Sequence, residues 1–481
     1  MRRYALELIV FLSGAVVMIL EIVGTRLIAP YFGTSLPVWT AIISVVLASL
    51  SIGYYYGGKL ADKGATEERL GLIVAAAGVL VGLTMFFQNI FLATLGDMQL
   101  PLVMSALIAV TALLGPAALM LGIISPYAAR LKIVSVDTSG AAVGRLSALA
   151  TAGSIAGTAL AGFVLLRFFG STTLLSMLAV ALLLISLLVH RRRYFVIGVL
   201  IVAFVCIVGR GYVSLTFAAD VDTAYNRIWI FDKDNVRTLS VGGVSESAMY
   251  LDGNPELVFP YTRFYRLAQH FAPDAKLALM LGGAGYSSPR DFLKRTPGAT
   301  IDVVEIDPGM TQVARDYFNL EDDPRLRIIH KDGRVYINQT DERYDVFFGD
   351  AFGSFFSVPY QLTTLEAVQR VHALLADEGV AILNLIGSLE GEKGRFIRAE
   401  HRTYRNIFPH VYLFPVNSAD PLAVQNVMLV ALKGDEVSLS SRDSELDSYL
   451  QKRWMGEIAQ DVPVLTDDFA PVDQYISSLV R

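Results

Sequence analysis

A single cysteine, Cys206, stands in a chain of 481 residues, so neither an intrachain disulfide nor a cysteine-based metal site can form. Charge is scarce as well. Only 18% of residues are Asp, Glu, Lys or Arg, 53% are hydrophobic, and the mean hydropathy is +0.49. That excludes an ordinary soluble single domain. The shortage is local. Residues 1–213 hold seven acids (Glu7, Glu21, Asp62, Glu67, Glu68, Asp97, Asp137) against 14 lysines and arginines, a net +7. The remainder holds 38 acids and 26 bases, a net −12. These are two different physical objects. The acidic half disfavours nucleic acid as a partner, because phosphates are repelled. A glycine-x-glycine-x-x-glycine spacing and a phosphate-loop lysine are both missing, which speaks against dinucleotides and ATP.

What the first half does have is long apolar runs. A bilayer-spanning helix needs about 20 mostly apolar residues. Seven stretches qualify, at 5–25, 38–58, 70–94, 101–127, 143–166, 172–189 and 194–212. The first is not a cleavable signal: it is long, contains Glu21, lacks a small-residue cleavage site and is followed at once by more spans. Ala152, Gly153, Ala156 and Gly157 in the fifth suit close helix packing. Basic residues cluster at Arg2/Arg3, Lys59/Lys63/Arg69, Arg130/Lys132/Arg145 and Arg191/Arg192/Arg193, whereas the opposite ends hold only Arg26, Arg167 and Arg210. The alternation predicts a multi-pass cell-membrane protein with its amino terminus inside. Seven spans then put residue 214 onward outside, and one span more or fewer returns it to the cytosol. Glu21 and Arg26 close the first span, and either an ion pair or a transport role suits them.

The second half changes period. Ile228–Phe231, Arg237–Val241 and Ala248–Tyr250 are separated by turn residues, which predicts hairpins over 214–255. From about 262, helical and strand patterns alternate. Strands are expected at 277–281, 301–305, 326–329, 345–349, 379–385 and 425–431, forming a parallel sheet covered by helices. The most informative stretch is Met280-Leu281-Gly282-Gly283-Ala284-Gly285-Tyr286. It is a strand and a glycine turn, and the next strand closes in Glu305. Gly282, Gly283 and Gly285 permit close approach of a ligand, and the spacing to Glu305 suits a carboxylate gripping ribose hydroxyls. Asp332 and Asp350 end two further strands. Such acids often just cap the next helix. Three at successive strand ends beside a glycine turn point to a nucleoside held at the carboxyl edge of the sheet.

Taken together, Leu279–Gly285, Val303–Pro308, Asp323-Pro324-Arg325, Asp332-Gly333-Arg334 and Tyr344-Asp345-Val346 resemble the polyamine aminopropyltransferases, the spermidine synthase family. The likeness covers about 221–432. With the apolar half attached, the chain resembles the family's transmembrane branch, a fused transporter-like/spermidine synthase protein. Gly57–Lys63 is similar to a loop of major facilitator transporters, and Leu465–Val472 resembles this branch. The resemblance implies a multi-span helical membrane domain (1–213, about seven helices) and a small β-hairpin domain (214–260). A Rossmann-like α/β domain of the S-adenosylmethionine methyltransferase type follows (261–481). It implies transfer of an aminopropyl group from decarboxylated S-adenosylmethionine to an amine such as putrescine, with no metal. Gly282, Gly283, Gly285, Glu305, Asp332 and Gly333 would hold the nucleoside. Asp350 would take the proton of the reacting amine, with Glu246, Tyr265, Tyr360 and Gln361 beside it. The implied partners are the nucleoside co-substrate, a small amine and a lipid bilayer, with no nucleic acid, and a homodimer is admitted.

The departures lie on the acceptor side. Gly285 stands where the soluble enzymes hold an acid, and Gly353 where they hold a second acid after Asp350. Tyr261–Arg266 replaces a tyrosine-histidine-glutamate run. Gly242 and Glu246 replace an aspartate and a glutamine. With Arg263 and Arg266 added, a less anionic acceptor pocket is expected. Two alternatives stay open: an S-adenosylmethionine-dependent methyltransferase acting on a less cationic or membrane-borne acceptor, and a non-catalytic transporter or sensor. Phe352, Phe355, Phe356, Tyr360 and Phe469 suit an acceptor pocket, a buried loop core or a bilayer-docking surface equally.

Overall fold

The computed structural model describes residues 4–33, 35–98, 100–133, 139–188, 198–203, 217–351 and 358–480. The chain divides into two compact units, Met1–Arg227 and Ile228–Arg481. The first unit is built from helices α1 (Ala5–Phe32), α2 (Leu36–Asp62), α3 (Glu67–Asp97), α4 (Leu102–Leu113), α5 (Gly115–Lys132), α6 (Ser139–Leu160) and α7 (Ser171–Ser186). Among the described residues four helices are long and apolar enough to cross a membrane. The pair α4–α5, bent by 53°, makes a fifth if counted as one span. The expected span at 101–127 is therefore broken near Leu114. Its neighbour at 172–189 appears as the 16-residue α7. Most of the run at 194–212, with Cys206 and Arg210, lies outside the described residues, as do Arg2, Arg3 and Arg191–Arg193.

Small residues set the closest helix contact. A Cβ on Gly153 or Gly157 of α6 would fall 1.9 and 2.4 Å from the Phe11 and Ala15 carbonyl oxygens of α1, so both positions exclude side chains. Charges gather at the two ends of α1. Near its start the buried Glu7 carboxylate accepts from Lys132 Nζ at 2.6 Å, with Arg145 at 3.8 Å. At its other end Arg26 donates to the Thr223 carbonyl at 2.8 Å and to that of Ala224. Strand β1 (Ala219–Asp222) meets α7 there, where Asp222 accepts from the Ser171 backbone N–H at 3.2 Å.

The second unit opens with an antiparallel meander, β2 (Arg227–Lys233), β3 (Val236–Val241) and β4 (Val244–Tyr250). Its turns are Asp234-Asn235 and Gly242-Gly243, all four residues at positive φ, as two-residue hairpin loops require. A helical stretch over 260–271 leads into a seven-stranded sheet of order β10-β11-β9-β8-β5-β6-β7. Its strands are β5 (Leu277–Leu281), β6 (Thr300–Glu305), β7 (Leu326–His330), β8 (Tyr344–Gly349), β9 (Leu375–Gly387), β10 (His410–Pro415) and β11 (Gln425–Leu432). The five strands β7-β6-β5-β8-β9 run parallel. The parallel sheet expected from sequence is extended at one edge, where β11 runs antiparallel to β9 and β10 antiparallel to β11. The reason is local: β10 to β11 is a short connection through Asp420-Pro421, too short for a helical crossover.

Alternation along the strands serves both faces. Ala278 and Met280 pack with Phe264, Leu267 and Phe271, whereas Leu279 and Leu281 face Ile337, Val368 and Phe396. Burial on both sides explains why these strands are continuous apolar runs. Helices α8 (Ser287–Arg295), α9 (Pro308–Tyr317), α10 (Gly333–Gln339), α11 (Leu365–Leu374) and α12 (Arg395–Arg405) complete the layers. Each carboxyl end of a parallel strand therefore arrives at one edge beside a helix start.

Candidate active site

At that edge β5 must turn without blocking the crevice. Gly282 does so at φ +91°, and a Cβ there would lie 2.4 Å from the Asp350 carbonyl oxygen. No side chain fits. Ala284 and Tyr286 also adopt positive φ, +43° and +56°. The turn is held in that conformation by the wholly buried Tyr286, whose hydroxyl bonds Thr311 Oγ1 at 2.7 Å. Glu305, at the end of β6, locks it from the side. Its Oε2 accepts from Gly283 N–H and its Oε1 from Asp307 N–H, both at 2.9 Å. Burial pushes the Glu305 carboxyl up, and these backbone donors oppose the shift.

The acids at the next two strand ends differ in kind. Asp332 is the N-cap of α10, with Oδ1 accepting from Val335 N–H at 2.9 Å. Asp307 caps α9 in the same way through Gly309 N–H. Asp350 has a different setting among the described residues. It lines a cavity of about 370 Å³ with Glu246 and Ser247 of β4, Tyr261, the glycine turn, Asn384 of β9 and Asn426 of β11. Among the described residues no Lys, Arg or His lines this cavity.

Two carboxylates in one apolar recess resist ionisation. Burial pushes Asp350 up to about 6, opposed by the hydrogen bond from Asn384 and by the nearby Tyr265 and Tyr261 hydroxyls. Burial raises Glu246 well above the carboxylate range, helped by the nearby Asp350 and Glu305 charges. An acid poised near neutrality beside a second acid suits proton acceptance from a bound cation.

The expected site residues separate accordingly. Gly282, Gly283, Glu246 and Asp350 line the cavity, and Glu305 lies buried behind the turn. Tyr265 is buried against Phe348, with its hydroxyl donating to the Gly349 carbonyl at 3.1 Å. Asp332 and Gly333 sit one strand further along. The space at Gly333 opens on Leu281 and Leu362. Tyr360 is exposed, the Gln361 backbone carbonyl accepts from Arg334 at 2.6 Å, and neither residue lines the cavity. Phe352, Gly353, Phe355 and Phe356 lie outside the described residues.

The expected loss of negative charge through Arg263 and Arg266 is corrected. Arg263 folds back on the Leu257 carbonyl at 2.8 and 3.0 Å. Arg266 is buried, forked on Asp291 at 2.9 Å and paired with Glu256 and Glu445. Neither guanidinium faces the cavity. Gly285 has its own cause: a Cβ there would lie 2.5 Å from Ser247 Oγ, which bonds Ser287 Oγ. Gly285→Asp is therefore expected to lower stability by about 1–3 kcal/mol through overpacking. Thermal unfolding of G285D and of S247G/G285D checks it, since removing the Ser247 side chain should return most of the loss.

Residues 263–440 match a family model described as the spermine/spermidine synthase domain. The carboxyl-terminal half carries a spermidine synthase domain. The polyamine aminopropyltransferase of Vibrio vulnificus (strain CMCP6) is 26% identical over 272 residues, 52% of this chain and 88% of that protein. The eEF1A lysine and N-terminal methyltransferase of Xenopus laevis is 30% identical over 150 residues, 29% of this chain and 21% of that protein. A crystal structure of a probable spermidine synthase from Corynebacterium glutamicum ATCC 13032 superposes with a TM-score of 0.43 at 20% identity, covering 55% of this chain and 93% of the other. Within the synthase domain, three cavity residues escape a reading of sequence alone. Asn384 and Asn426 sit inside apolar strands and Tyr261 in a short helical turn. A lone amide in Val380–Ile386 was the available signal, since a buried amide needs partners.

Proposed function

We propose that the chain is a membrane-anchored aminopropyltransferase, moving the aminopropyl group of decarboxylated S-adenosylmethionine to a cationic amine such as putrescine. The observation that carries this is a cavity beside the glycine turn lined by Asp350 and Glu246 with no basic side chain among the described residues. The nucleoside would lie across the turn, with Glu305 at the ribose and Asp332 and Gly333 at the base. The acceptor nitrogen's lone pair attacks the methylene next to sulfur. The carbon–sulfur bond breaks, its electron pair stays on sulfur, and methylthioadenosine leaves. The nitrogen's surplus proton passes to Asp350. The cavity's part is positioning and proton acceptance. Incubation of the purified chain with the donor and putrescine should yield methylthioadenosine and spermidine. With S-adenosylmethionine instead, S-adenosylhomocysteine as product would favour the methyltransferase reading, and no product from either donor a binding role.

The apolar helices support the bilayer anchor. Glu7 and Arg26 are 19 residues apart on one helix, ~28 Å, close to the hydrocarbon thickness. Lys132 and Arg145 gather at the Glu7 end and residues 219–227 at the Arg26 end. Basic loops favour the cytoplasmic side. Alkaline phosphatase fused after Arg481 is therefore expected to be active and a green fluorescent protein there dark. The donor would then come from outside the cytosol. The reverse pattern would return the synthase domain to the cytosol and require an even number of spans.

A further inference from the structure

Asp350 is the acid with a task, but what aims it is a pair of amides from two neighbouring strands. In the register, Gly349 pairs with Leu383 and Asn384 with Met428. Asp350 thus arrives beside Asn384, and Asn426 lies two residues from Asn384's partner, on the same face of the sheet. The contacts follow that register: Asn384 Nδ2 donates to Asp350 Oδ1 at 3.0 Å, and Asn426 Nδ2 donates to Asn384 Oδ1 at 2.9 Å. An amide can present either end, and a carboxylate accepts only from the nitrogen. Asp350 therefore selects the nitrogen of Asn384, and Asn426 reinforces the choice, because a flipped Asn384 would face the Asn426 nitrogen donor to donor and Asp350 oxygen to oxygen. Asn384 is 3% exposed, so its amide depends on these protein partners.

We propose that Asn384 and Asn426 form a two-amide relay that positions Asp350, leaving one carboxylate oxygen directed at the acceptor nitrogen. The relay rests on the aminopropyltransferase reading for its purpose, but its effect on the Asp350 carboxyl does not depend on turnover. The other groups bearing on that carboxyl are Glu246 from β4 and the hydroxyls of Tyr261 and Tyr265 from the helical stretch. Glu305 on β6 is tied to the Gly283 and Asp307 backbone. Among the described groups at that carboxyl, Asn384 is the one contacted by a second amide.

The test is carboxyl-carbon NMR of the full chain in detergent with labelled aspartate, the Asp350 signal assigned by its loss in D350N. Asn384→Leu removes the donor and should move the Asp350 midpoint up by about one pH unit, tenfold in proton affinity. Asn426→Leu leaves the donor but removes the second amide that holds it in place. It should move the midpoint in the same direction by less, and lower the turnover number while leaving KM for the amine near its wild-type value. Asn384→Gln keeps a donor and should hold the midpoint nearer wild type than the leucine does. An unchanged midpoint and turnover in Asn426→Leu would overturn the relay. If Asn384→Leu does not fold, Asn426→Leu and Asn384→Gln still decide. A midpoint that moves in a protein that transfers nothing keeps the relay and removes the proposed reaction. Transfer with an unmoved midpoint does the opposite.

Discussion

Asp350→Asn is expected to cut aminopropyl transfer by about 10²–10⁴-fold, the usual contribution of a positioned base, while methylthioadenosine still binds. The same change should stabilise the ligand-free protein in alkaline buffer. Burial raises the Asp350 carboxyl from 3.8 to about 6. The folded state therefore holds the proton more tightly than the unfolded chain does. That stabilisation is complete below about pH 4 and is lost as the pH climbs through 6. Above that, the folded protein carries a partly desolvated charge costing up to about 3 kcal/mol at 1.36 kcal/mol per pH unit. The asparagine carries none. Melting of the two proteins should coincide near pH 4 and diverge by pH 8, with the variant the more stable. Wild-type transfer should correspondingly fall below pH 6, where the base is protonated. Transfer within tenfold of wild type in D350N would remove Asp350 as the base. Melting curves that coincide at pH 8 would instead deny the buried charge. The two measurements separate chemistry from electrostatics at one residue.

How much of this was legible beforehand depends on the range of the interactions involved. The glycine turn and the acids at strand ends are local, and their spacing carries over directly to the edge where Gly282, Glu305, Asp332 and Asp350 emerge. Composition alone separated the apolar half from the acidic one. What failed was non-local. Arg263 and Arg266 stand in the run that replaces the family's tyrosine-histidine-glutamate, and that position alone puts them at the acceptor. Their guanidinium groups turn away to the Leu257 carbonyl and to Asp291 and Glu445, partners that no linear pattern reveals. Gly285 looked like a lost acid. In three dimensions it is a glycine because Ser247 of β4 occupies the space beside it. The antiparallel edge was missed for a similar reason: direction is set by the length of the β10–β11 connection, while the apolar runs themselves carry no arrow. Asn384 and Asn426 are 42 residues apart and meet only through the register of β9 and β11.

Glu305→Ala should abolish methylthioadenosine binding in calorimetry, a loss of at least about 100-fold. The magnitude comes from two sources acting together. Ribose hydroxyls would lose a charged acceptor, and a hydrogen bond to a charged group contributes about 1.5–3 kcal/mol. The turn would also lose its lock, because Gly283 N–H and Asp307 N–H both depend on that carboxylate. Glu305→Gln distinguishes the two. Its amide can still accept from one of these donors but must set its own N–H₂ against the other. The turn is then half held, and one acceptor remains for ribose. Binding should fall less than in the alanine, and the melting temperature should lie between alanine and wild type. If affinity and melting temperature fall in strict proportion across both variants, Glu305 serves the turn alone. If alanine loses binding while its melting temperature stays near that of glutamine, the carboxylate itself meets the nucleoside. Unchanged affinity in the alanine variant would remove the nucleoside site from this edge of the sheet altogether, leaving Gly282 to the backbone turn alone.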